Sequence, residues 1–470
     1  MSDAPARDPR ALLAVVVFGA FLSSLTSSVI NVALPDIARD FHVDPSQASW
    51  FVLSFLLAVT VLLLPAGRVS DLLGHGRMYL LGMTVFGVGS AACALAPTAT
   101  WLIVARIVQG VASSLVMATS PALMTMALPP ERRGFALGLM STGTYVGLTI
   151  GPPIGGSLVA MLGWRSIFWA SMLFSLIATL PGFKVLPLAR SDRDKPRFDL
   201  LGSVLTAVGT LAFLLLSTRG LAWGWRSPAT IGCALVSIVV LPVFVVVEMR
   251  HTAPTLDLRL FRSVVFSSAT LSALLNYIAL FIPLFTIPFA LRDGQGMSPP
   301  QVGKVLSALA AGMTLFSWGS GWLSDRIGSR GLAAGGMVVL AAGAAGLSLS
   351  WPTSGVLAPA AWLFLCGAGT GVFISPNSST LMGAAPRERQ GIAGGVMALA
   401  RNLGMSLGVA LGSGLFAAAF AAGHKPGQWS AAADQSLRTA LMLSAGAALL
   451  SGLVAFAGRP SGAGRSNPAR

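Results

Sequence analysis

The sequence predicts an all-α integral membrane protein of fourteen spanning helices, arranged as two six-helix halves with two extra spans between them. Three observations predict it. Hydrophobic residues make up 54% of the 470 and charged residues only 10%, and the mean hydropathy is +0.77. A water-soluble domain carries about 25% charge; lipid as the outer solvent lets the whole outer face be apolar. Fourteen apolar runs each reach the roughly 20 residues a helix needs to cross the hydrocarbon core. Two stretches also recur at nearly one offset, which argues for duplication.

The first run, 11–34, is too long for the apolar core of a cleavable leader and lacks a cleavage site. It reads as a retained first span, with residues 1–10 left in the cytoplasm. Runs near 48–67, 78–96, 101–122, 134–160 and 165–186 complete an N-terminal half, 1–186. Runs near 199–218 and 228–248 form a two-helix insert with cytoplasmic linkers, 187–263. Runs near 264–290, 300–323, 331–350, 357–380, 391–420 and 436–457 form the C-terminal half, 264–458, and 459–470 is a cytoplasmic tail.

Net charge is +15, but the basic residues are scattered through short loops and not gathered on one face, so nucleic acid is not an expected partner. With the N-terminus inside, 21 Lys and Arg fall in inner segments and 8 in outer ones, while Arg106 and Arg401 lie within spans. That bias puts both termini in the cytoplasm and supports an even number of spans. Cys93, Cys233 and Cys366 sit singly in apolar runs as packing residues, and no metal-binding spacing exists. The loops are too short for a soluble catalytic domain, and no G-x-x-x-x-G-K-[ST] phosphate loop is present. The chain reads as neither an enzyme nor an ATP-driven pump, with no cofactor; an embedded enzyme would carry a polar cluster within its spans.

Gly67-Arg-Val-Ser-Asp71-Leu-Leu-Gly74 recurs as Gly321-Trp-Leu-Ser-Asp325-Arg-Ile-Gly328 at an offset of 254 residues. Pro130-Glu131-Arg-Arg-Gly134 recurs as Arg387-Glu388-Arg-Gln-Gly391 at 257. Parallel six-span halves place a substrate site at the midplane between them, with alternating access by rocking of one half on the other.

The loop from Gly67 to Arg77 resembles the signature between spans two and three of the major facilitator superfamily. Gly67 and Gly74 permit close approach and a tight turn. Asp71, like its counterpart Asp325, can cap a helix N-terminus in the opposite half, and Arg77 can pair with Asp71. The alternative is an ordinary polar turn. His75 stands where the family often has Arg or Lys, so charge there depends on pH. Span four carries Arg106-Ile-Val-Gln109-Gly110, similar to the superfamily's Arg-containing fourth-span motif. An Arg at that depth either serves proton coupling or anion binding, or bonds backbone carbonyls structurally. Span five carries Gly147-Leu-Thr-Ile-Gly151-Pro152-Pro153-Ile-Gly155-Gly156, which resembles the superfamily's antiporter motif. Its small residues at four-residue spacing make a stripe for close helix packing.

Span one ends Asn31-Val-Ala-Leu34-Pro35-Asp36-Ile37, similar to the first-span motif of the fourteen-span drug:proton antiporter family; the resemblance runs on to Arg401-Asn402-Leu403-Gly404 in span thirteen. One departure stands out. The family commonly has an acid before the hydroxyl-rich stretch of span one; this chain has Thr26, and none of its 16 carboxylates lies at a midplane position. Neutral or anionic hydrophobic substrates therefore fit better than permanent cations, with Arg106 and Arg401 the deep charges. Asp36 is the remaining candidate for proton coupling; the alternative is a solvated helix-end charge. Cavity polarity is assigned to Asn31, Gln109, Tyr145, Asn276, Tyr277 and Asn377.

The resemblance implies a monomeric secondary transporter of the cell membrane that exports small hydrophobic, drug-like compounds in exchange for protons. Two alternatives stay open: a dedicated exporter of an endogenous metabolite (a self-made antibiotic, lipid precursor or siderophore), and a passive facilitator or sensor.

Overall fold

The computed structural model describes residues 9–127, 133–188, 200–224, 226–250, 258–352, 355–386, 390–420 and 429–458. These are helical throughout, with no strand among the described residues. Each of the fourteen apolar runs is a helix. The N-terminal half holds α1 (Pro9–Asp40), the one-turn α2 (Pro45–Ala48), α3 (Trp50–Leu73), α4 (His75–Ala94), α5 (Ala99–Ala127), α6 (Arg133–Leu162) and α7 (Arg165–Val185). The insert is α8 (Leu200–Trp223) and α9 (Pro228–Arg250). The C-terminal half holds α10 (Val264–Phe289), α11 (Pro299–Ile327), α12 (Ser329–Ser350), α13 (Leu357–Gly383), α14 (Gln390–Phe420) and α15 (Ala431–Ala457). Thirteen of these stretches are long and apolar enough to cross a membrane, and α6 adds the apolar segment Val146–Leu162.

Helix α3 runs past its predicted end to Leu73, and α1 continues past Leu34 and through Pro35 to Asp40. The extra turn is held by its own burial: Ile37 and Ala38 are enclosed, and Asp36 and Arg39 are anchored by ion pairs. The α1–α3 corner is then set by α2, where Asp44 caps the Gln47 amide (2.7 Å) and Gln47 returns a bond to the Asp44 amide (3.4 Å).

The two halves pack by one scheme. In the first, α1 lies on α6 and α7, and α5 on α3 and α4, with α4 also on α7. In the second, α10 lies on α14 and α15, and α13 on α11 and α12, with α12 also on α15. Position for position these are the same helix pairs, as duplication requires. The halves meet along α6–α11, α3–α14 and α1–α10. The insert is peripheral: α8 packs on α3, α14 and α9, and α9 turns Leu235, Ile238, Val239 and Val246 outward.

The repeated loops share a backbone. Gly74 joins α3 to α4 at φ 99° and Gly328 joins α11 to α12 at φ 90°. Each glycine amide donates to the serine carbonyl four residues back, Ser70 at 2.9 Å and Ser324 at 3.0 Å. A Cβ at Gly328 meets nothing within 4 Å, so Gly328→Ala is expected to cost only its positive-φ backbone strain, about 1–3 kcal/mol. Gly331→Ala lies one turn on, in equally open space within α12, and is expected to stabilise by roughly 0.5–1 kcal/mol. Melting temperatures in detergent check the opposite signs.

Candidate functional site

The glycine stripe on α6 is built for backbone contact. A Cβ on Gly147 would sit 2.4 Å from the Phe21 carbonyl oxygen, one on Gly151 would sit 1.9 Å from Ser28 Oγ, and one on Gly155 would sit 2.8 Å from Val29 Cγ1. All three contacts are to α1. Gly156 faces the other way: its Cβ would sit 2.6 Å from the Pro299 carbonyl oxygen at the start of α11. Gly303 of α11 answers with a Cβ position 2.5 Å from the Pro152 carbonyl oxygen. Thr149 and Thr314 hydroxyls bond at 2.8 Å on the same seam. The motif therefore seals α6 to α1 within its half and to α11 across the halves, while α6 runs unbroken through Pro152 and Pro153.

A second stripe escaped the sequence reading. Gly404, Gly408 and Gly412 on α14 press on α10, with Cβ positions 2.5 Å from the Leu274 carbonyl, 2.8 Å from the Ile278 carbonyl and 3.1 Å from Thr286 Cγ2. These glycines are Gly147, Gly151 and Gly155 displaced by 257 residues, the offset already seen in the Glu131 and Glu388 repeat. The signal was present in the sequence.

At the end of the bundle opposite the termini the halves are joined reciprocally. Arg292, past the end of α10, bonds Asp36 of α1 through Nη2 (2.8 Å) and Nε (3.2 Å). Arg39 of α1 pairs with Asp293 of the second half. Each half gives the other one carboxylate and one guanidinium. Asp36 is largely buried, and its Oδ2 has no hydrogen-bond partner. Asp36 is thus not the solvated helix-end charge of the alternative reading. It is a member of a cross-half lock.

At the end that carries the termini, Asp71 lies 4.0 Å from Arg68 and 3.5 Å from His75. Its partners among the described residues are in its own loop, not on a helix of the opposite half. Nor does Arg77 pair with it, contrary to expectation: Arg77 donates to the Leu188 carbonyl in the strap after α7. That strap packs so tightly on the start of α4 that a Cβ on Gly76 would meet the Pro187 carbonyl at 2.1 Å, which brings Leu188 within Arg77's reach. Gly67 is less crowded, its nearest neighbour being Ala118 Cβ at 3.9 Å. The side chains of Asp325 and Tyr145 lie outside the described residues.

Arg106 is enclosed within the N-terminal half. It is 1% exposed; Nε donates to the Phe51 carbonyl (2.9 Å), Nη1 donates to Gln109 Oε1 (2.8 Å), and the guanidinium lies over the Phe55 ring. Gln109 passes the chain on to Ser90 Oγ (2.8 Å). Gln109 therefore ties α5 to α4 inside the N-terminal half and does not line a cavity. Of the other cavity candidates, Asn31 and Asn276 are enclosed within their halves, and Asn377 lines a small cavity with Ser268, Ser329 and Thr380. Asn31 is buried and donates to the Ser27 carbonyl one turn back. Asn377 donates to the Ala269 carbonyl, linking α13 to α10. Asn276 is fully enclosed on a face turned toward α15, between Ser272, which bonds Ser451, and Ala279, whose carbonyl accepts from Ser444. Nothing in the structure explains why both polar atoms of the Asn276 amide have no partner. Tyr277 and Arg401 differ: both are half-buried, Tyr277 on α10 and Arg401 on α14, which packs against it.

Comparison with known proteins agrees with this architecture. The family model of the Major Facilitator Superfamily matches residues 16–409 and 269–470. Riboflavin transporter RibZ of Clostridioides difficile (strain 630) is 30% identical over 83% of this chain and 85% of its own. The tetracenomycin C resistance and export protein of Streptomyces glaucescens is 31% identical over 84% and 73%. Multidrug resistance protein Stp of Mycobacterium tuberculosis (strain ATCC 25618 / H37Rv) is 33% identical over 82% and 72%. In fold, the chain matches a crystal structure of the peptide transporter POT in complex with sulfate, with a TM-score of 0.68 over 97% and 96% of the two chains at 17% identity. Two packed six-helix halves, an inserted helix pair and a matched family model over most of the sequence make this chain a multi-pass membrane transporter of the major facilitator superfamily.

Proposed function

We propose that the protein exports hydrophobic, drug-like compounds from the cytoplasm in exchange for protons, by alternating access between the two six-helix halves. The reciprocal pairing of Asp36 with Arg292 and of Arg39 with Asp293 carries the reading. A lock made between halves at one end is what a rocking transporter needs, since it must be broken once per cycle. In this reading the locked end faces outward, both termini are cytoplasmic, the membrane is the inner or plasma membrane, and a monomer suffices because one chain holds both halves. Asp36 is the carboxylate best placed to exchange a proton with the outside. The relatives named for tetracenomycin C export and multidrug resistance support the substrate class. The relative named as a riboflavin transporter supports a second reading, a dedicated metabolite transporter, at similar identity.

The test is drug susceptibility and accumulation in an efflux-deficient bacterium expressing the chain, with and without a protonophore. Lowered accumulation of several hydrophobic compounds, abolished by the protonophore, is the expected outcome. Unchanged accumulation of every compound despite good membrane expression would move the assignment to a single-metabolite transporter. Protonophore-insensitive equilibration would make it a passive facilitator.

A further inference from the structure

We propose that Arg401 and Tyr277 recognise an ionised acid group on the transported molecule, so that the substrate class is amphipathic organic acids: a hydrophobic body carrying one carboxylate or phenolate. The inference rests on the exporter reading and deepens it.

The two deep arginines are not equivalent. Arg106 is enclosed, with Nε given to Phe51 and Nη1 to Gln109. Arg401 lies well inside α14, is only half-buried, and among the described residues makes no ion pair or hydrogen bond. Tyr277 lies across the seam on α10, its Cβ packed beside Gly404 of α14. A guanidinium without an acceptor inside a spanning helix is costly, and such residues face cavities and substrate pathways.

The backbone sets the pair in place. Gly404, one turn beyond Arg401, lets α14 settle onto α10, where a Cβ would stand 2.5 Å from the Leu274 carbonyl and 2.8 Å from Tyr277 Cβ. The α10–α14 seam borders the other half, because α10 touches α1 and α14 touches α3. Arg401 and Tyr277 thus sit on the seam of the second half that borders the first. The counterpart of Arg401 by the 257-residue offset is Thr144, whose hydroxyl bonds the Met140 carbonyl of its own helix, so the charge is one-sided.

No described carboxylate balances it. Each sits within two turns of a helix end or in a loop, Asp36 and Glu248 included. Arg106 adds a second fixed positive charge to the interior. A planar guanidinium offers paired N–H donors that match a carboxylate, and the low dielectric of the interior strengthens that bond while repelling cations. The phenol of Tyr277 supplies a third donor and a ring for the apolar body.

The test uses a matched pair of probes, fusidic acid and its methyl ester, which share a hydrophobic body and differ in the acid. Binding to the purified full chain is measured by thermophoresis, and accumulation in the efflux-deficient strain. The wild type is expected to bind the acid about tenfold more tightly than the ester, the scale of one charge-assisted bond. Arg401→Gln is expected to weaken the acid alone and erase the difference, while Arg401→Lys keeps part of it and Tyr277→Phe loses a smaller part. Melting temperatures separate misfolding from lost recognition, and the Lys variant carries the test if the Gln variant does not fold. Equal binding of acid and ester by the wild type, or equal weakening of both by Arg401→Gln, overturns the inference. If the ester is then still pumped, the exporter reading stands alone; if neither probe is bound or pumped, both readings fall.

Discussion

Asp36→Asn is expected to release the locked end and shift the protein toward a conformer open there. The substitution leaves Arg292 with the Met297 carbonyl (2.9 Å) as its remaining anchor and removes the partner that Arg39 approaches at 3.9 Å. Asp36 and Arg292 are each about four-fifths buried, so the pair lies between an exposed bridge, worth little, and an enclosed one, costly to break. A change on the order of 2 kcal/mol, roughly thirtyfold in population, is the expected size. Pulsed EPR distances between nitroxides at Leu162 and Gln301 would report it as a longer, broader distribution. Asp293→Asn should act in the same direction because the lock is reciprocal, and the exchange Asp36→Arg with Arg292→Asp should restore the short distance. Distributions identical to wild type in both single variants would mean that the ion pairs do not hold this end shut. In transport, Asp36→Asn should lose proton-driven accumulation and retain exchange, since a neutral amide carries no proton.

The second large effect is at the glycine stripes. Gly147→Ala drives a methyl toward the Phe21 carbonyl, and Gly404→Ala drives one toward the Leu274 carbonyl; both oxygens belong to helix backbone and cannot rotate aside. The helices must separate, at an overpacking cost of about 1–3 kcal/mol each. Gly67→Ala is the control, because its Cβ would find its nearest neighbour at 3.9 Å, ordinary contact distance. Thermal denaturation in detergent should show clear losses for Gly147→Ala and Gly404→Ala and little change for Gly67→Ala. Equal losses at all three sites would show that the losses do not come from the close approach of α6 to α1 and of α14 to α10, since alanine inside a helix otherwise gains stability over glycine.

The fold was legible because the bilayer constrains it. A spanning segment must satisfy its own backbone, so about 20 apolar residues mean a helix, and all fourteen runs became one. The duplication was legible from two short matches and reappears as similar positive φ values at Gly74 and Gly328. The α6 stripe was legible from four-residue spacing, and the α14 stripe could have been found by carrying the same offset across. The orientation of single polar residues about a helix axis was not legible. Gln109 and Asn31 look alike in sequence to a residue that faces a cavity, yet each is enclosed and bonds its own helix or a neighbour. A buried amide can reach a carbonyl one turn back as readily as a ligand. The fate of the two arginines was open for the same reason. The pairing of Asp36 with Arg292, from opposite halves, had no local signature at all.

The central claim is that this chain couples export to protons without a carboxylate at the membrane midplane. The most direct measurement is uptake of a fluorescent hydrophobic compound into proteoliposomes under an imposed pH gradient. Accumulation on the acidic side that collapses when a protonophore is added, and that Asp36→Asn abolishes, is the result predicted. Uptake that reaches the same level with and without the gradient would contradict the claim and leave a facilitator in its place.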